Sequence, residues 1–371
     1  MYMEYIFEDV LEIKNGKNQK AVENSEGQYP IYGSGGVMGY ADDYICDSDT
    51  VIIGRKGSIN NPIYVTERFW NVDTAFGLSA KRELLLPRYL FYFCKKFDFE
   101  KLNKTVTIPS LTKSDLLKIK IDLPAIPKQQ EVVDRLSKIE KIIELRRQEL
   151  SALDELVKAR FVEMFGDPQI NPYGWDVVNI SEIVYGKVSN GFFAKRSDYC
   201  EDGNVSVLGV SNIVNRMYSN INDLPRVNAN DKDIKKFEVK YGDMLFCRSS
   251  LVAEGIGKAS IIPKGVPNNI LFECHVIRIP LNLEKCIPEF MQTLSTMDFF
   301  RNQIIVQSKT ATMTTIGQDG ILKADIILPP IQKQNEFADF VHQIDKSKVA
   351  VQKALDEAQL LFDSLMQEYF G

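Results

Sequence analysis

Short turns rich in glycine, hydroxyl groups and positive charge occur at matching places in both halves of this sequence. The first half contains Gly33, Ser34, Gly35, Gly36, Arg55, Lys56, Ser58, Lys104, Thr105 and Thr107. The second half contains Arg248, Ser249, Ser250, Lys258, Lys309, Thr310 and Thr312. Arginine can read a guanine edge, lysine and threonine can hold phosphates, and glycine lets a backbone approach a duplex closely. We therefore predict that both sets contact DNA, although each turn alone is also typical of a solvated surface loop.

The patterns of known nucleotide and methyltransferase sites are incomplete. A phosphate-binding loop that ends at Gly257-Lys258 would need glycine where Val252 stands. A G-x-G-x-x-G frame that starts at Gly33 would need glycine at Met38. The aminomethyltransferase pattern, Asp or Asn followed by two prolines and an aromatic residue, is broken in Asn171-Pro172-Tyr173. We therefore predict that the chain has no catalytic residues.

Two weaker catalytic possibilities involve acids and histidines. A carboxylate-lysine nuclease site could be built from Asp231, Asp233 and the Glu238-x-Lys240 pair, but this spacing is common. The two histidines, His275 and His342, have no visible catalytic partner in the sequence, and we expect His342 to be solvated or to face a partner.

Composition limits the classes of function that remain. The chain has 371 residues and a net charge of −5, which argues against a general polyanion binder but not against a sequence reader. Six cysteines without a CxxC pair and only two histidines predict reduced, mostly buried thiols and no metal site. No apolar run is long enough to span a membrane, so we expect a cytoplasmic protein with no membrane partner.

The elements that must position these turns are identified by an internal repeat. The segment Leu123 to Gly166 aligns without a gap on Leu328 to Gly371, at a constant offset of 205. The alignment extends back to Lys104 and Lys309, and 20 of its 63 positions are identical. Such a repeat fixes the architecture as two half-chains, each with its own front part and a shared type of tail.

Both tails carry the heptad pattern of a coiled coil. The residues that we expect to pack between the two helices, or against partners, are Leu136, Ile139, Ile143, Leu150, Leu153, Val157, Val341, Ile344, Val351, Leu355, Phe362 and Leu365. Only Lys348 interrupts the stripe of the second tail. We predict an antiparallel helix pair related by a pseudo-two-fold axis, with the alternative that each helix packs on its own front domain.

The predicted fold is therefore α+β, with two pseudo-symmetric mixed α/β domains separated by two long antiparallel coiled-coil helices. The predicted domains are residues 1–122 and 167–327, and the predicted helical spacers are residues 123–166 and 328–371. The tails agree while the fronts differ, which indicates a common scaffold that carries two different binding surfaces.

The sequence resembles the DNA specificity (S) subunit of type I restriction-modification systems. The resemblance covers essentially the whole chain. It is carried by the tails, which read LPAIPKQQEVVDRL and LPPIQKQNEFADFV, by NPYGW after the first tail, and by YPIYGSGGVMGY and IIGRKGS in the first front. The resemblance implies that each front is a target-recognition domain reading one half of a split, asymmetric DNA sequence, and that the helices set the distance between the halves.

The same resemblance implies partners and cofactors. Two modification (methyltransferase) subunits would dock on the helices, and an ATP-dependent restriction subunit would join the full complex. S-adenosylmethionine, ATP and Mg²⁺ would be bound by those partners, with no cofactor in this chain. We thus expect a non-enzymatic DNA-recognition subunit. The alternatives are the recognition portion of a nuclease or methyltransferase with an unrecognised active site, and a scaffold whose function is its coiled coil.

Overall fold

A computed structural model of the chain describes residues 2–103, 109–310 and 313–371. The chain forms two compact units, and each is described by itself. Unit 1 contains residues 1–148 and 351–371, and unit 2 contains residues 149–350. Each unit therefore combines one front with half of each tail, whereas the four-part division by sequence stays a prediction.

The strands of unit 1 form two sheets and a separate pair. Their bounds are β1 Met3–Ile6, β2 Leu11–Asn15, β3 Tyr29–Gly33, β4 Gly36–Ala41, β5 Thr50–Gly54, β6 Ile63–Val65, β7 Trp70–Asn71, β8 Ala75–Ala80 and β9 Lys120–Leu123. One sheet has the order β2-β8-β5-β6 and the other β4-β3-β7, while β1 pairs with β9. The apolar run of β5 is buried throughout, as expected for a central strand covered on both faces.

Unit 1 has short helices, two of which begin where the sequence supplies start signals. They are α1 Phe7–Val10, α2 Pro87–Lys96 and α3 Lys113–Leu116, followed by the long α4 Ile126–Phe165. Proline occupies the first turn of α2, where its missing N–H costs nothing. The Thr112 side chain accepts the N–H of Asp115 and so caps the start of α3.

Unit 2 repeats this topology with different sequence. Its strands are β10 Asp176–Asn179, β11 Ser189–Asn190, β12 Val205–Leu208, β13 Arg226–Val227, β14 Asp243–Cys247, β15 Ser249–Ser250, β16 Ala259–Ile261, β17 Ile270–Phe272, β18 Val276–Pro280, β19 Lys309–Thr310, β20 Thr314–Thr315 and β21 Asp325–Leu328. The sheets β11-β18-β14-β16 and β13-β12-β17 and the pair β10-β21 correspond to the three strand groups of unit 1. A further sheet has the order β15-β20-β19.

The helices of unit 2 frame these sheets. They are α5 Asp231–Phe237, α6 Pro288–Ser295, α7 Asp298–Gln307 and α8 Gln318–Leu322, followed by the long α9 Ile331–Phe370. As in α2, a proline occupies the first turn of α6. Short 3-10 turns lie at Phe99–Leu102, Ile180–Ile183, Arg196–Asp198, Val210–Asn212 and Ala253–Gly255.

The two long helices pack together as the heptads predict. Each has 40 residues and is about 60 Å long. In unit 1 the early part of α4 packs with the late part of α9, where Arg135 donates to the Tyr369 hydroxyl at 3.2 Å. In unit 2 the late part of α4 packs with the early part of α9, where the rings of Phe161 and Phe337 lie 5.5 Å apart. The helices therefore run antiparallel, and the predicted mixed α/β fold with pseudo-symmetric halves is confirmed.

Residues just beyond Phe165 end α4. Gly166 has a φ of +79°, a left-handed conformation that favours glycine, and its N–H bonds the Val162 carbonyl at 2.8 Å. The Trp175 indole then donates to the Phe165 carbonyl at 2.9 Å. The hinge-like segment GDPQINPYGW thus closes the helix with specific hydrogen bonds. Across the described ranges, no helix is both long and apolar enough to cross a membrane.

Candidate nucleic-acid interface

In unit 1 the structure brings together the two turns that the sequence singled out. The β3-β4 hairpin carries Gly33, Ser34, Gly35 and Gly36 at its tip. A Cβ atom built on Gly54, at the end of β5, would lie 3.1 Å from Cβ of Ser34. The absence of a side chain at Gly54 therefore lets the hairpin tip lie against the start of the basic turn.

The basic turn after β5 holds Arg55, Lys56 and Ser58 in exposed positions. The Arg55 carbonyl accepts the N–H of Leu111 at 3.0 Å, and its N–H bonds the Thr74 carbonyl at 2.8 Å. Its guanidinium lies 5.8 Å from the centre of the Phe76 ring. A backbone fixed on both sides presents this arginine at the surface. The predicted Lys104, Thr105 and Thr107 lie outside the described residues.

In unit 2 the corresponding residues form one small sheet. Ser249 and Ser250 of β15 pair with Thr315 and Thr314 of β20, which also pairs with β19. Lys309 and Thr310 of β19 are exposed, and the hydroxyls of Thr310 and Thr314 lie 3.0 Å apart. Two turns that are 60 positions apart in the sequence thus present hydroxyl and amine groups side by side. The predicted Thr312 lies outside the described residues.

Arg248 occupies the position in unit 2 that Arg55 occupies in unit 1. The N–H of Ile316 bonds the Arg248 carbonyl at 3.0 Å, and Leu111 and Ile316 are repeat positions at the offset of 205. The guanidinium of Arg248 is half-buried and donates to the Cys274 carbonyl at 3.3 Å. The backbone arrangement is therefore repeated, but the guanidinium is exposed in Arg55 and half-buried and hydrogen-bonded in Arg248.

Lys258 does not join the β15-β20-β19 sheet. It lies next to Cys247, at the start of β16, and its amine donates to the Asn215 side chain at 2.7 Å. The Lys258 side chain lines a cavity that also includes residues of α4 and α9. Lys258 thus lies apart from the serines and threonines with which it was predicted to contact DNA.

Several residues at these surfaces are not among those predicted from the sequence. Nδ1 of His275 lies 3.2 Å from the Ser249 hydroxyl, and Thr314 and Thr315 form the central strand of the small sheet. The hydroxyl run that continues after Lys309-Thr310 was a signal for the two threonines. Exposed apolar side chains also flank the turns, and these are Val37, Met38, Leu251 and Val252.

Two of the acids considered for a nuclease site, Asp233 and Glu238, have structural partners. Asp231 and Asp233 lie in the first turn of α5, where the Asn230 side chain accepts the N–H of Asp233 at 2.9 Å. Glu238 follows the helix and accepts the N–H of Asn269 at 2.9 Å. These carboxylates stabilise a helix and a loop. Among the described residues, no group of three or more His, Cys, Asp or Glu is placed to hold a metal ion.

The expected reduced thiols are present. All six cysteines are free, with Cys46, Cys94, Cys247 and Cys286 buried and Cys200 and Cys274 partly exposed. Burial raises the pKa of the Cys94, Cys247 and Cys286 thiols, so these side chains stay protonated and behave as small apolar groups.

The residues predicted for the helix pair lie in or beside the cores of the two units. In unit 1, Leu136, Ile139, Ile143 and Phe362 are buried in the core, with Leu355 and Leu365 partly buried against it. In unit 2, Val157 and Val341 are buried in the core, with Ile344 partly buried. Val351 is buried, and Leu150 and Leu153 are half-buried. Each helix thus packs both on the other helix and on a front domain, which combines the two arrangements considered from the sequence.

A polar cluster joins α2 to α4 in unit 1. The Glu140 carboxylate accepts from Arg88 at 2.7 Å, from the Tyr92 hydroxyl at 2.7 Å and from Lys95 at 2.9 Å. Burial alone would raise the pKa of Glu140, but the hydrogen bonds from Tyr92 and Lys95 outweigh it and hold the pKa below its ordinary value. Glu140 therefore stays ionised where the front domain meets the helix.

The equivalent cluster in unit 2 has the opposite charge on the domain side. Glu289, which is 1% exposed, accepts from the Tyr218 hydroxyl at 3.1 Å, and Nε2 of His342 lies 2.9 Å from the same carboxylate oxygen. His342, which we expected to be solvated or to face a partner, is 35% exposed, and it also bonds a buried acid of α6. Burial and the Glu289 charge raise the pKa of Tyr218 above its ordinary value.

A family model of the type I restriction modification DNA specificity domain matches residues 2–155 and 172–358 of the chain. The type I restriction enzyme MjaVIII specificity subunit of Methanocaldococcus jannaschii is 23% identical over 335 residues. That alignment covers 84% of this chain and 77% of the relative.

Two solved structures share the fold. The S subunit of the type I restriction-modification system from M. genitalium has a TM-score of 0.62 and 14% identity, with 100% of this chain and 96% of that chain covered. A chain from a structure of complex assembly and conformational transition in the type I R-M system has a TM-score of 0.54 and 14% identity, with 100% and 97% covered. At these identities the likeness concerns the fold.

Proposed function

The chain belongs to the type I restriction modification DNA specificity family, and from that premise we propose that it reads a bipartite, asymmetric target in double-stranded DNA. It is a non-catalytic specificity subunit of a type I restriction-modification system, with a role in DNA target recognition. In the proposal, each unit reads one half of the target through its own surface, and the two surfaces differ because the two half-sites differ.

One observation carries this proposal. Arg55 and Arg248 follow equivalent buried strands and are held by equivalent hydrogen bonds, from Leu111 and Ile316, yet their neighbours differ completely. In unit 1 the neighbour is a glycine-rich hairpin, and in unit 2 it is a sheet of serine and threonine. A repeated frame with different contact groups is what two different half-sites require.

The proposal assigns the helices to spacing and docking. Two modification subunits, which bring S-adenosylmethionine, would bind α4 and α9, and a restriction subunit with ATP and Mg²⁺ would join them. Support comes from large apolar side chains that the helices leave exposed, because such groups are typical of protein contact surfaces. These are Ile142, Leu145, Leu156 and Val162 on α4, and Val349, Leu360 and Leu361 on α9. We propose that the protein acts in the cytoplasm, where it would meet its DNA target.

The test is to compare adenine and cytosine methylation across the host genome with and without this gene. A split motif that disappears with the gene supports the proposal. Purified complexes then give the contact pattern, because a footprint should show two protected patches separated by unprotected base pairs. A single contiguous patch contradicts bipartite reading. Turnover by the chain alone with Mg²⁺ or S-adenosylmethionine would favour an enzyme, and no DNA binding with partners present would favour a scaffold.

A further inference from the structure

Unit 2 contains a cavity whose lining includes several charged side chains. Its volume is about 390 Å³, which lies in the range of sites for small-molecule ligands. One wall is formed by α4 from Ser151 to Lys158 together with Lys348 of α9. The opposite wall is formed by the front domain, through Asn215 to Met217, Lys258 and Arg301.

The cavity contains more positive than negative charge. Its lining includes the cations Lys158, Arg216, Lys258, Arg301 and Lys348 and the carboxylates Asp154 and Glu155. On the helix side, Lys348 pairs with Asp154, and Lys158 pairs with Glu155 at 2.9 Å. On the domain side, Arg216, Lys258 and Arg301 have no carboxylate partner within the part of the chain that the structure describes. Three positive charges thus remain unbalanced on one wall.

Arg301 is the most constrained of these cations. One terminal nitrogen donates to the Glu254 carbonyl at 3.0 Å, while the other, Nη1, is buried and has no hydrogen-bond partner among the residues that the structure describes. A Cβ atom built on Gly257 would lie 3.5 Å from Nη1, so the glycine turn packs closely on the guanidinium. Burial lowers the pKa of Arg301 below its ordinary value. The half-buried guanidinium has no carboxylate partner among the described residues, and a bound anion would supply one.

Other groups in the cavity are already satisfied. The Ser295 hydroxyl donates to the Gln292 carbonyl at 2.6 Å, and the Thr296 hydroxyl donates to the Thr293 carbonyl at 2.7 Å. The Gln292 amide donates to the carbonyls of Arg216 and Ala259. The available donors are therefore the domain-side cations, which select a ligand with negative charge and several acceptor oxygens.

We infer that this cavity binds a phosphate group, held by Arg301 and Lys258 with Arg216 at the rim. Arginine binds phosphate oxygens through paired N–H groups, and lysine supplies a point charge. The cavity has room for more than one phosphate, so it can also hold part of a larger molecule that carries the group. It comes either from the DNA backbone, in which case this inference rests on the proposed function, or from a free nucleotide.

Phosphate binding is tested with inorganic pyrophosphate and the full chain. Titration calorimetry should show binding to the wild-type protein in a background of matched ionic strength, and pyrophosphate should raise its melting temperature, since ligands stabilise the state they bind. Arg301→Gln should weaken binding about tenfold or more, and Lys258→Gln should weaken it as well. Lys264→Gln is the matched control, because Lys264 lies beside the Tyr241 ring and outside the cavity.

A second set of measurements identifies the source of the phosphate. Competition by pyrophosphate against target DNA, together with weaker DNA binding by Arg301→Gln, assigns it to the DNA backbone. ATP binding that Arg301→Gln abolishes, with DNA binding unchanged, assigns it to a free nucleotide. If the chain binds pyrophosphate but never binds DNA, the proposed function is rejected and the inference that the cavity binds phosphate is supported. No pyrophosphate or ATP binding by the wild type, or equal binding by a folded Arg301→Gln variant, overturns the inference.

Discussion

Gln129 and Gln334 make the same three backbone hydrogen bonds, each within its own unit. Gln129 is fully buried, and its carbonyl oxygen accepts the N–H of Leu86 at 2.9 Å. Its amide donates to the carbonyls of Leu84 at 2.8 Å and Pro124 at 2.9 Å. One side chain therefore joins the start of α2, the loop before it and the start of α4.

Gln334 repeats this arrangement at the start of α9. It accepts from Ile287 at 2.9 Å and donates to Lys285 at 3.1 Å and Pro329 at 2.7 Å. We predict that Gln334→Leu lowers the free energy of unfolding by about 2 kcal/mol or more, because buried backbone groups lose their partners. Equilibrium denaturation measures the loss. The control is Gln130→Leu, since Gln130 is exposed and its amide donates to the Asp134 side chain. Equal losses in the two variants would contradict this role.

Asp243 should give unit 2 a pH dependence. Burial raises its pKa from 3.8 to about 6, against the opposing effects of Arg278 and the Lys240 N–H. Between these two values the unfolded chain releases the proton while the folded chain keeps it, so the free energy of unfolding falls as pH rises. The loss is at most about 3 kcal/mol and is complete above the folded pKa.

Asp243→Asn should lack this loss. Denaturant unfolding at pH 4 and pH 7 measures the free energy of unfolding of both proteins. From pH 4 to pH 7 this free energy should rise for the variant relative to the wild type. The other carboxylates titrate in both proteins, so their effects cancel in the comparison. A difference between the two proteins that is the same at both pH values would show that Asp243 is not the group responsible.

Arg55→Ala and Arg248→Ala should impair different halves of one target. If each arginine binds a guanine edge, its loss costs about 1 to 3 kcal/mol for the cognate half-site and relaxes the sequence requirement there. Binding of the assembled complex to duplexes with one altered half-site measures this. Arg82→Ala is the control, because Arg82 pairs with Asp49 at 2.7 Å. Uniform weakening on every sequence would instead identify phosphate contacts.

Glu289 and His342 should be energetically coupled. Nε2 of His342 lies 2.9 Å from Oε1 of Glu289, and the other carboxylate oxygen of Glu289 is buried without a hydrogen-bond partner among the described residues. A double-mutant cycle with Glu289→Gln and His342→Ala should give a coupling energy of about 0.5 to 3 kcal/mol. Lys346→Ala on the same helix provides a reference substitution in place of His342. A coupling energy within error of zero would mean that the contact does not attach the domain to α9.

The helical spacers lead to a prediction about DNA spacing. Removing seven residues from α4 and the seven facing residues from α9 preserves the heptad register and shortens each helix by about 10 Å. We expect the gap between half-sites to shorten by about 3 base pairs, with the half-sites unchanged. Methylation mapping with the shortened chain measures the gap. Loss of all methylation by a folded, partner-bound variant would show that the helices do more than set a distance.

The sequence by itself determined the duplication, the two long helices and the family, because these depend on local periodicity and on repeated residues such as Gln129 and Gln334. It also located the basic turns, since glycine and proline mark turns locally. Only the tertiary structure decided which turns meet. Ser249 joins Thr315 through strand pairing across a long loop, while Lys258 and Arg301 line a cavity with α4 and α9. Such contacts depend on the packing of distant segments, and neither spacing nor composition records which side chains that packing leaves without a partner.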